Sequence, residues 1–424
     1  MMPIYACSSL LVRRGEEMDE DLQQDIVIVG AGIAGLATAL GLHRQGLKSL
    51  ILESHDALRT AGFALTVWTN AWKVLEALGV ADTLRQQHVK IQRSSITSLV
   101  VGSTSYVPFT GHGNCGEFET RCVRRDLLVE ALVREMPNGS IKFGAKVVNI
   151  EEKHNESPLY LIHLADGTII KAKVLIGCDG VNSVVTKWLG FEKPAFVRRS
   201  ASRGLAEYPG GHNYKPDFLQ YFGDGFRMGF LPCNDKSMYW FFTWSPTQQE
   251  KGNEDDPMKM KQLILEKMEG VPEEVRQVIE KTEFQHVITS PLRCTWPWRL
   301  LRGNICKGNV CVAGDAFHSM TPDVGQGGCT ALEDGLVLAR CLGEAILSGD
   351  EGKEHKKIQN ALKKYAEERR WRAIKIITFA FVFGTIQQSR GRIMNFVRDR
   401  LLAKMMQRKL LAISDFDCGK LSAP

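Results

Sequence analysis

The stretch "DIVIVGAGIAGLATALGLHRQGLKSLILE", residues 25–53, decides the fold of this protein. Its first five residues form a short apolar, β-branched run that is typical of a buried strand. The segment after Gly30 is rich in small and apolar residues with helical spacing, and Gly46 is a natural helix stop. The apolar run before Glu53 predicts a second strand. The whole stretch therefore predicts a strand–helix–strand unit.

The turn between the first strand and the helix has the glycine spacing GxGxxG. Gly30 permits the tight turn, Gly32 lets the backbone approach a pyrophosphate, and Gly35 lets the helix pack on the strand. The helix N-terminus offers free N–H groups and the positive end of its dipole to phosphates. The predicted dinucleotide-binding residues of this turn are Gly30, Ala31, Gly32, Ile33, Ala34 and Gly35.

An acidic residue follows the second strand, as the dinucleotide interpretation requires. The Glu53 carboxylate would accept hydrogen bonds from ribose hydroxyls, and it disfavours a 2′-phosphate, so the adenosine belongs to FAD or NAD rather than NADP. A second match to the glycine spacing, "GHGNCG" at residues 111–116, has no helix after it. We interpret this second match as a loop without a phosphate.

Three later segments separate a flavoprotein from an NAD dehydrogenase. "VLIGCDGVNSVV", residues 174–185, is an apolar strand that runs into Asp179. Another predicted strand, residues 309–313, runs into "GDAFHSMTPDVGQGG" and so into Asp315. Before both of them, "ETRCVRRDLLVEAL", residues 119–132, places Arg125 at the start of a predicted helix.

In this order the segments resemble the class A flavoprotein monooxygenases, the FAD-dependent aromatic-hydroxylase family that includes p-hydroxybenzoate and salicylate hydroxylases. "CVRRDLLVEAL", "KAKVLIGCDGVNS" and "DFDCGKL" are similar to the plant branch of that family, often called monooxygenase 1. The resemblance implies an α/β fold: a Rossmann-like FAD-binding domain with an inserted antiparallel β-sheet substrate domain and a C-terminal helical region.

The resemblance also implies roles for the motif residues. The glycine turn and Glu53 hold the ADP half of FAD, and Arg125 contacts the ribose or pyrophosphate region. Asp179 belongs to a motif that serves both FAD and the nicotinamide cofactor, and Asp315 bonds the ribityl chain. In the family this motif usually places an arginine at the position of Val185. The resemblance further implies that NAD(P)H binds transiently in a groove, and the lack of a second Rossmann motif in the sequence suits that expectation.

The loop at residues 314–328 is rich in glycine directly before a helix that begins near Cys329. Glycines without side chains leave room for a flat ring, and the helix N–H groups and dipole would face the flavin pyrimidine edge. The proline would stiffen the loop beside the ring. The flavin-binding residues predicted here are Gly314, Asp315, Pro322, Gly325, Gly327 and Gly328.

The middle of the chain predicts an antiparallel sheet rich in aromatic residues, with a hairpin turn at residues 223–225. In the resembling fold this sheet covers the flavin and lines the substrate pocket. The face that each aromatic side chain occupies depends on strand register, which the sequence leaves open. The candidate pocket residues are Tyr221, Phe222, Phe230 and Phe241.

The motifs also predict how the chain is divided. An apolar stretch at residues 376–383 is too short to span a bilayer; we expect burial against the flavin domain, with peripheral membrane contact or dimer packing as alternatives. The predicted parts are a flexible leader (1–24), a discontinuous FAD-binding domain (25–90, 117–195 and 290–350), a substrate domain (91–116 and 196–289) and a C-terminal helical region (351–424).

Composition narrows the class of protein. A net charge of +6 over 424 residues, without a dense basic stripe, argues against a nucleic-acid partner. The eleven cysteines form no CxxC pair, so buried thiols in a reducing compartment are expected, with no disulfide framework and no metal site. No apolar run reaches the length of a transmembrane helix. We expect a cytoplasmic location, with the chloroplast as the alternative.

The expected function is that of an FAD-dependent monooxygenase. NAD(P)H reduces the flavin, O₂ gives a flavin C4a-hydroperoxide, and an aromatic or other electron-rich small molecule is hydroxylated or epoxidised. The sequence identifies no catalytic acid or base, and we assign His318 to hydrogen bonding in its turn. The alternatives are a flavin oxidase or dehydrogenase on the same fold and a non-catalytic protein similar to the prenyl-protein escort proteins. The substrate, the choice of NADH or NADPH and the oligomeric state stay open.

Overall fold

The computed structural model describes residues 23–59, 62–154, 158–247, 256–348 and 354–421. The predicted leader therefore lies outside the described residues, except for Gln23 and Gln24, which begin the first strand. The described residues form two large β-sheets, two small two-stranded sheets and a set of helices. From Glu354 to Ser414 the chain is mostly helical.

The regular elements are numbered in chain order. The strands are β1 (Gln23–Val29), β2 (Leu50–Leu52), β3 (Ala64–Val67), β4 (Arg93–Ser98), β5 (Ser103–Pro108), β6 (His112–Gly113), β7 (Gly116–Glu117), β8 (Arg121–Arg124), β9 (Ile141–Lys142), β10 (Val147–His154), β11 (Pro158–Leu164), β12 (Ile169–Gly177), β13 (Ala195–Glu207), β14 (Asp217–Phe222), β15 (Phe226–Pro232), β16 (Ser237–Trp244), β17 (Val287–Cys294), β18 (Cys306–Lys307) and β19 (Val310–Val312). The helices are α1 (Ile33–His43), α2 (Thr69–Leu78), α3 (Ala81–Gln87), α4 (Arg125–Arg134), α5 (Val184–Trp188), α6 (Pro257–Glu266), α7 (Glu273–Lys281), α8 (Pro297–Arg302), α9 (Asp315–His318), α10 (Gly327–Ile346), α11 (Glu354–Gln387), α12 (Arg392–Val397) and α13 (Ala403–Ser414).

The first sheet is parallel at its centre. Strand β1 pairs in parallel with β2 and β12, and further parallel pairs join β2 to β9 and β12 to β19. Strand β11 pairs antiparallel with β12, and β10 pairs antiparallel with β11 at the edge of the sheet. Because parallel strands end at the same edge of a sheet, the residues that follow β1, β2, β12 and β19 meet there. Those are the turns that the sequence motifs marked.

Helices α1 and α10 lie side by side against this sheet because small residues let their backbones approach. A Cβ atom added at Gly335 would lie 2.7 Å from the Ala37 Cβ atom, and one added at Gly41 would lie 2.7 Å from the Ala339 Cβ atom. Larger side chains would separate the two helices. The close packing brings the N-termini of both helices to the edge where the parallel strands end.

The second sheet has the strand order β17-β13-β16-β15-β14-β4-β5 and is antiparallel except for the β14–β4 pair. The predicted hairpin at residues 223–225 joins β14 to β15. Helices α6 and α7 cover one face of this sheet with an apolar cluster. The opposite face, which we call the inner face, packs toward the core of the first sheet through Phe218, Leu231 and Tyr239.

The C-terminal helices complete the fold. Helix α11 packs along α10 and buries one side of the apolar stretch at residues 376–383, where Ile376, Ile377 and Phe383 are buried while Val382 is 48% exposed. Across the described ranges, no helix has both the length and the apolar run that crossing a bilayer needs. The α/β fold with two sheets and a C-terminal helical region confirms the predicted fold class.

Candidate cofactor site

A cavity of about 550 Å³ lies at the edge where the parallel strands end. Turns after β1, β2, β12 and β19 contribute to its walls, together with the N-termini of α1 and α10. Most of the predicted cofactor residues line this cavity: Gly30, Gly32, Ile33, Ala34, Glu53, Arg125, Asp179, Gly314, Asp315, Gly327 and Gly328. Residues far apart in the chain are thus brought to one site.

The three glycines of the first motif differ in what requires them. Gly30 has a φ of +101°, and a Cβ atom there would lie 2.6 Å from the Cys178 carbonyl oxygen. A Cβ atom at Gly35 would overlap the Gly30 carbonyl oxygen, so the protein's own packing requires both glycines. A Cβ atom added at Gly32 would lie 4.0 Å from its nearest neighbour, the Cys178 carbonyl oxygen, and Gly32 borders the cavity. The open space at Gly32 is what the close approach of a ligand needs.

The Glu53 carboxylate is buried and held by backbone donors. Its Oε2 atom accepts the Ala31 N–H at 2.9 Å, and its Oε1 atom accepts the His55 N–H at 3.0 Å. Burial raises the pKa of Glu53, but these hydrogen bonds outweigh it and lower the pKa below its usual range. Ala31 does not border the cavity; its contribution is to hold Glu53.

Arg125 and Asp315 bring opposite charges to the cavity wall. The Arg125 Nε atom is buried without a hydrogen-bond partner in the described part of the chain. Asp315 lines the cavity, and its side chain is exposed to that open space although protein atoms surround it. Burial raises the pKa of Asp315, while the positive charges of His318 and Arg125 oppose that rise. A buried donor without a partner fits a site that a polar ligand completes.

Asp179 has one satisfied and one free oxygen. Its Oδ2 atom accepts the Val184 N–H at 2.7 Å, whereas Oδ1 has no partner among the described residues. Burial raises the pKa of Asp179. Val185, at the position where the resembling family usually has an arginine, is fully buried and packs against Gly177. An apolar core contact therefore replaces that arginine.

The loop before α10 divides into a structural part and a part that faces the cavity. Pro322 begins a 3₁₀ turn, and Gly325 has a φ of +61° beside Trp68; neither borders the cavity. Gly327 and Gly328 do border it. The space at Gly327 is open, whereas a Cβ atom at Gly328 would overlap the Leu65 side chain.

Several cavity residues were not among the predicted cofactor residues: Ser54, His55, Arg59, Lys146, Val181 and Asn182. His55 and Arg59 come from the irregular segment after Glu53, and Lys146 precedes β10. Their positions depend on how loops fold back over the strand ends. For His55 and Arg59, the signal in the sequence was that both follow Glu53 closely.

Strand register separates the four aromatic candidates. Tyr221 and Phe230 contact each other at 6.1 Å between ring centroids, in the cluster that α6 and α7 cover. Both point away from the inner face, which favours a core position for them, and their place in a substrate pocket stays a prediction. Phe222 lies on the inner face, where it packs on Ile96 and Val107 and its ring centroid lies 5.8 Å from the Arg227 guanidinium. Phe222 does not line the cofactor cavity, and its place in the substrate pocket stays a prediction.

Phe241 keeps its place as a candidate. It is directly opposite Arg203 in the β13–β16 pair, so the two side chains share the inner face. The positive charge of Arg203 acts on the carboxylate of Asp315 in the cavity. The Arg227 guanidinium lies 4.8 Å from the Phe241 ring centroid. This part of the inner face is therefore next to the cofactor cavity.

The second glycine-rich match, at residues 111–116, forms the small hairpin of β6 and β7. No helix follows it, as expected. The N–H groups of Asn114 and Cys115 donate to the Asp415 carboxylate at 2.7 and 2.8 Å. This loop therefore binds an acidic side chain from the C-terminal tail.

Comparison with known proteins defines the class. The family model described as "FAD binding domain" matches residues 23–380, and the chain belongs to this family. It is 49% identical over 413 residues to Monooxygenase 2 of Arabidopsis thaliana, covering 95% of this chain and 100% of that protein. It is 35% identical to Monooxygenase 1 of the same plant, covering 93% and 99%.

A solved structure shows the same fold. Klebsiella pneumoniae HpxO, complexed with FAD and uric acid, aligns with a TM-score of 0.75 at 22% identity, covering 94% of this chain and 97% of that one. Together these findings confirm the resemblance to the flavoprotein monooxygenases. The protein is an FAD-dependent monooxygenase, related to the plant monooxygenases 1 and 2.

Proposed function

We propose that this enzyme uses NAD(P)H and O₂ to hydroxylate or epoxidise an aromatic or other electron-rich small molecule. One oxygen atom enters the product, the other leaves as water, and NAD(P)H is oxidised to NAD(P)⁺. The observation that carries the proposal is the cavity, where open space at Gly32 and Gly327 adjoins unpartnered polar atoms of Arg125 and Asp179 within the described ranges. When bound, FAD would supply the redox chemistry and the activation of O₂.

The chain's own residues would bind and orient the cofactor. The α1 N-terminus at Gly32 has no side-chain cap among the described residues, so its N–H groups can bind a pyrophosphate. Glu53 would accept hydrogen bonds from a ribose, and Arg125 would neutralise phosphate charge. Asp315 would accept a hydrogen bond from the ribityl chain. The α10 N-terminus at Gly327 would stabilise negative charge at the ring edge.

The substrate would lie between this cavity and the inner face of the second sheet. Phe241 offers an aromatic surface there, and Arg203 is a positive charge on the same face. An aromatic or phenolic substrate suits such a wall, because offset stacking and a nearby cation favour electron-rich rings. Packing of the two sheets against each other would keep water from the reacting atoms.

The predicted domain division is part of this proposal. Strands of the second sheet come from residues 93–108 and 195–294, which agrees with a substrate domain inserted into an FAD-binding domain. NAD(P)H would bind only transiently, with Asp179 near its route to the cavity. A cytoplasmic location, with no nucleic-acid partner, completes the proposal.

Purified protein tests the proposal directly. We expect a yellow protein with a flavin absorption spectrum, and NADH or NADPH oxidation that one member of a panel of phenolic compounds stimulates. Under ¹⁸O₂, mass spectrometry should find one labelled oxygen atom in the product.

Other results would select the alternatives. Hydrogen peroxide without labelled product indicates an oxidase, and flavin reduction by the organic substrate without NAD(P)H or O₂ indicates a dehydrogenase. Protein that neither contains nor binds FAD would support a non-catalytic binding protein.

A further inference from the structure

A cluster of buried charges lies behind the cofactor cavity, between α10 and α11. Its members are the acidic pair Glu333 and Asp334 on α10, the basic pair Arg369 and Arg372 on α11, and His318 at the end of α9. None of these side chains is more than 8% exposed. Burying this many charges costs stability unless each is paired, so the arrangement calls for an explanation beyond packing.

Asp334 connects this cluster to the cavity wall. Its Oδ2 atom accepts the Gly314 backbone N–H at 2.8 Å and lies 2.6 Å from the His318 Nε2 atom. Its Oδ1 atom accepts a hydrogen bond from Arg369 Nε at 2.7 Å. Both oxygens are therefore occupied, and one partner is the backbone of the residue that precedes Asp315.

The neighbouring acid makes different contacts. Glu333 Oε2 lies 2.6 Å from an Arg369 guanidinium nitrogen, and Oε1 accepts hydrogen bonds from Asn70 at 2.6 Å and Arg372 at 2.8 Å. Glu333 thus shares burial, charge and Arg369 with Asp334, but its hydrogen bonds go to α2 and α11 rather than to the Gly314–Asp315 turn. The two acids form a natural pair for comparison.

The turn that Asp334 holds requires glycine at position 314. Gly314 has a φ of +61°, and a Cβ atom there would lie 2.8 Å from the Ala34 Cβ atom on α1. Its N–H follows the last residues of the strand and needs an acceptor, since a buried unpaired N–H is costly. The charge-assisted bond to Asp334 supplies that acceptor and fixes the direction in which the chain enters α9.

We infer that Asp334 is a positioning residue for the cofactor site: paired with His318 and Arg369, it holds the Gly314 backbone so that the Asp315 carboxylate faces the cavity. The inference rests on the proposed roles of the cavity and of Asp315. It links helix α11, which lies outside the cavity, to the geometry of the flavin site through a single carboxylate.

The test compares Asp334→Asn with Glu333→Gln in the full-length protein. Each variant removes one buried negative charge and weakens one contact to Arg369, while the amide introduced by Glu333→Gln keeps an oxygen for Asn70. FAD dissociation constants are measured by titrating FAD into the apoprotein, and thermal unfolding of the apoprotein reports stability. We expect both variants to unfold at lower temperature, but FAD affinity to fall about tenfold only in Asp334→Asn.

A double-mutant cycle with Asp315→Ala distinguishes positioning from general destabilisation. If Asp334 acts through Asp315, Asp334→Asn should weaken FAD binding less than about twofold once Asp315 is replaced by alanine. Additive losses, or an equal loss in Glu333→Gln, would overturn the inference. If Asp334→Asn does not fold, Asp334→Glu replaces it, because it keeps the charge and displaces the oxygens; wild-type FAD affinity in that variant would overturn the inference as well.

The wild-type titration separates this inference from the proposed function. Wild-type protein that does not bind FAD contradicts the proposed site itself. Wild-type protein that binds FAD, with unchanged binding in the Asp334 variants, contradicts only the role of Asp334.

Discussion

The two large sheets present their functional residues in different ways. In the parallel sheet, the cofactor residues lie in the turns after β1, β2, β12 and β19, and each turn is marked by glycine, by an acidic residue or by both in the sequence. In the antiparallel sheet, the candidate substrate residue Phe241 lies in mid-strand, where only the face it occupies distinguishes it from core aromatics. Turns can be predicted from their residue types, whereas the face of the sheet that a strand residue occupies depends on the strand register.

The difference reflects the backbone. A turn that approaches a ligand needs residues without side chains, so glycine appears at fixed spacings. A mid-strand aromatic residue satisfies the same pleated geometry on either face. We therefore expect substitutions at the parallel sheet to separate cleanly into folding and cofactor effects, and those at the antiparallel sheet to show smaller effects.

The largest effect is expected at the first glycine turn. Gly32 has a φ of −79°, which any residue adopts, and the space beside it is open, so Gly32→Val should fold. The valine side chain would occupy the place of the pyrophosphate, and FAD affinity should fall by at least about a hundredfold. Titration of the apoprotein with FAD measures this loss.

Gly35→Ala provides the contrast, because its Cβ atom would overlap the Gly30 carbonyl oxygen. We expect it to destabilise the apoprotein by about 1–3 kcal/mol, measured by denaturant unfolding. Full FAD occupancy in purified Gly32→Val would show that the pyrophosphate does not bind at this turn.

The next effect is expected at Asp315. Removal of its carboxylate in Asp315→Ala eliminates a charged acceptor worth about 1.5–3 kcal/mol, so FAD affinity should fall about ten- to hundredfold. Asp315→Asn keeps one acceptor oxygen and should lose less. Equal affinity in wild type and Asp315→Ala, measured by the same titration, would remove Asp315 from the site.

The smallest effect is expected in the antiparallel sheet, where one substitution on each face tests the difference between the two faces. Phe241→Leu should change kcat/KM for the identified substrate by about three- to thirtyfold, because the aromatic wall is lost. Phe230→Leu, on the face that α6 and α7 cover, should lower the unfolding free energy by about 1–2 kcal/mol with kcat/KM within about twofold of wild type. Equal kinetic effects in both variants would contradict the assignment of faces.

The cofactor site was largely predictable because each of its parts has a local signature. The glycine turn at Gly30, Glu53 and the Gly314–Asp315 turn each come directly after an apolar strand. Parallel pairing of these strands brings their ends together at one edge of the sheet. Pro322 and Gly325 shared that signature, yet they shape the loop rather than the cavity. Turn chemistry alone does not distinguish a residue that bends the chain from one that borders a ligand.

The sequence by itself determined the class of this protein, its FAD-binding fold and eleven of the twenty-five residues that line the cavity, because glycine, acid and apolar spacing follow directly from local backbone requirements. Only the tertiary structure decided which aromatic face covers the cavity, which glycines leave open space, and that Asp334 joins Gly314 to Arg369 across the helix pair. These depend on strand register and on contacts between distant segments. No local pattern encodes them, since their energy arises only when the segments meet.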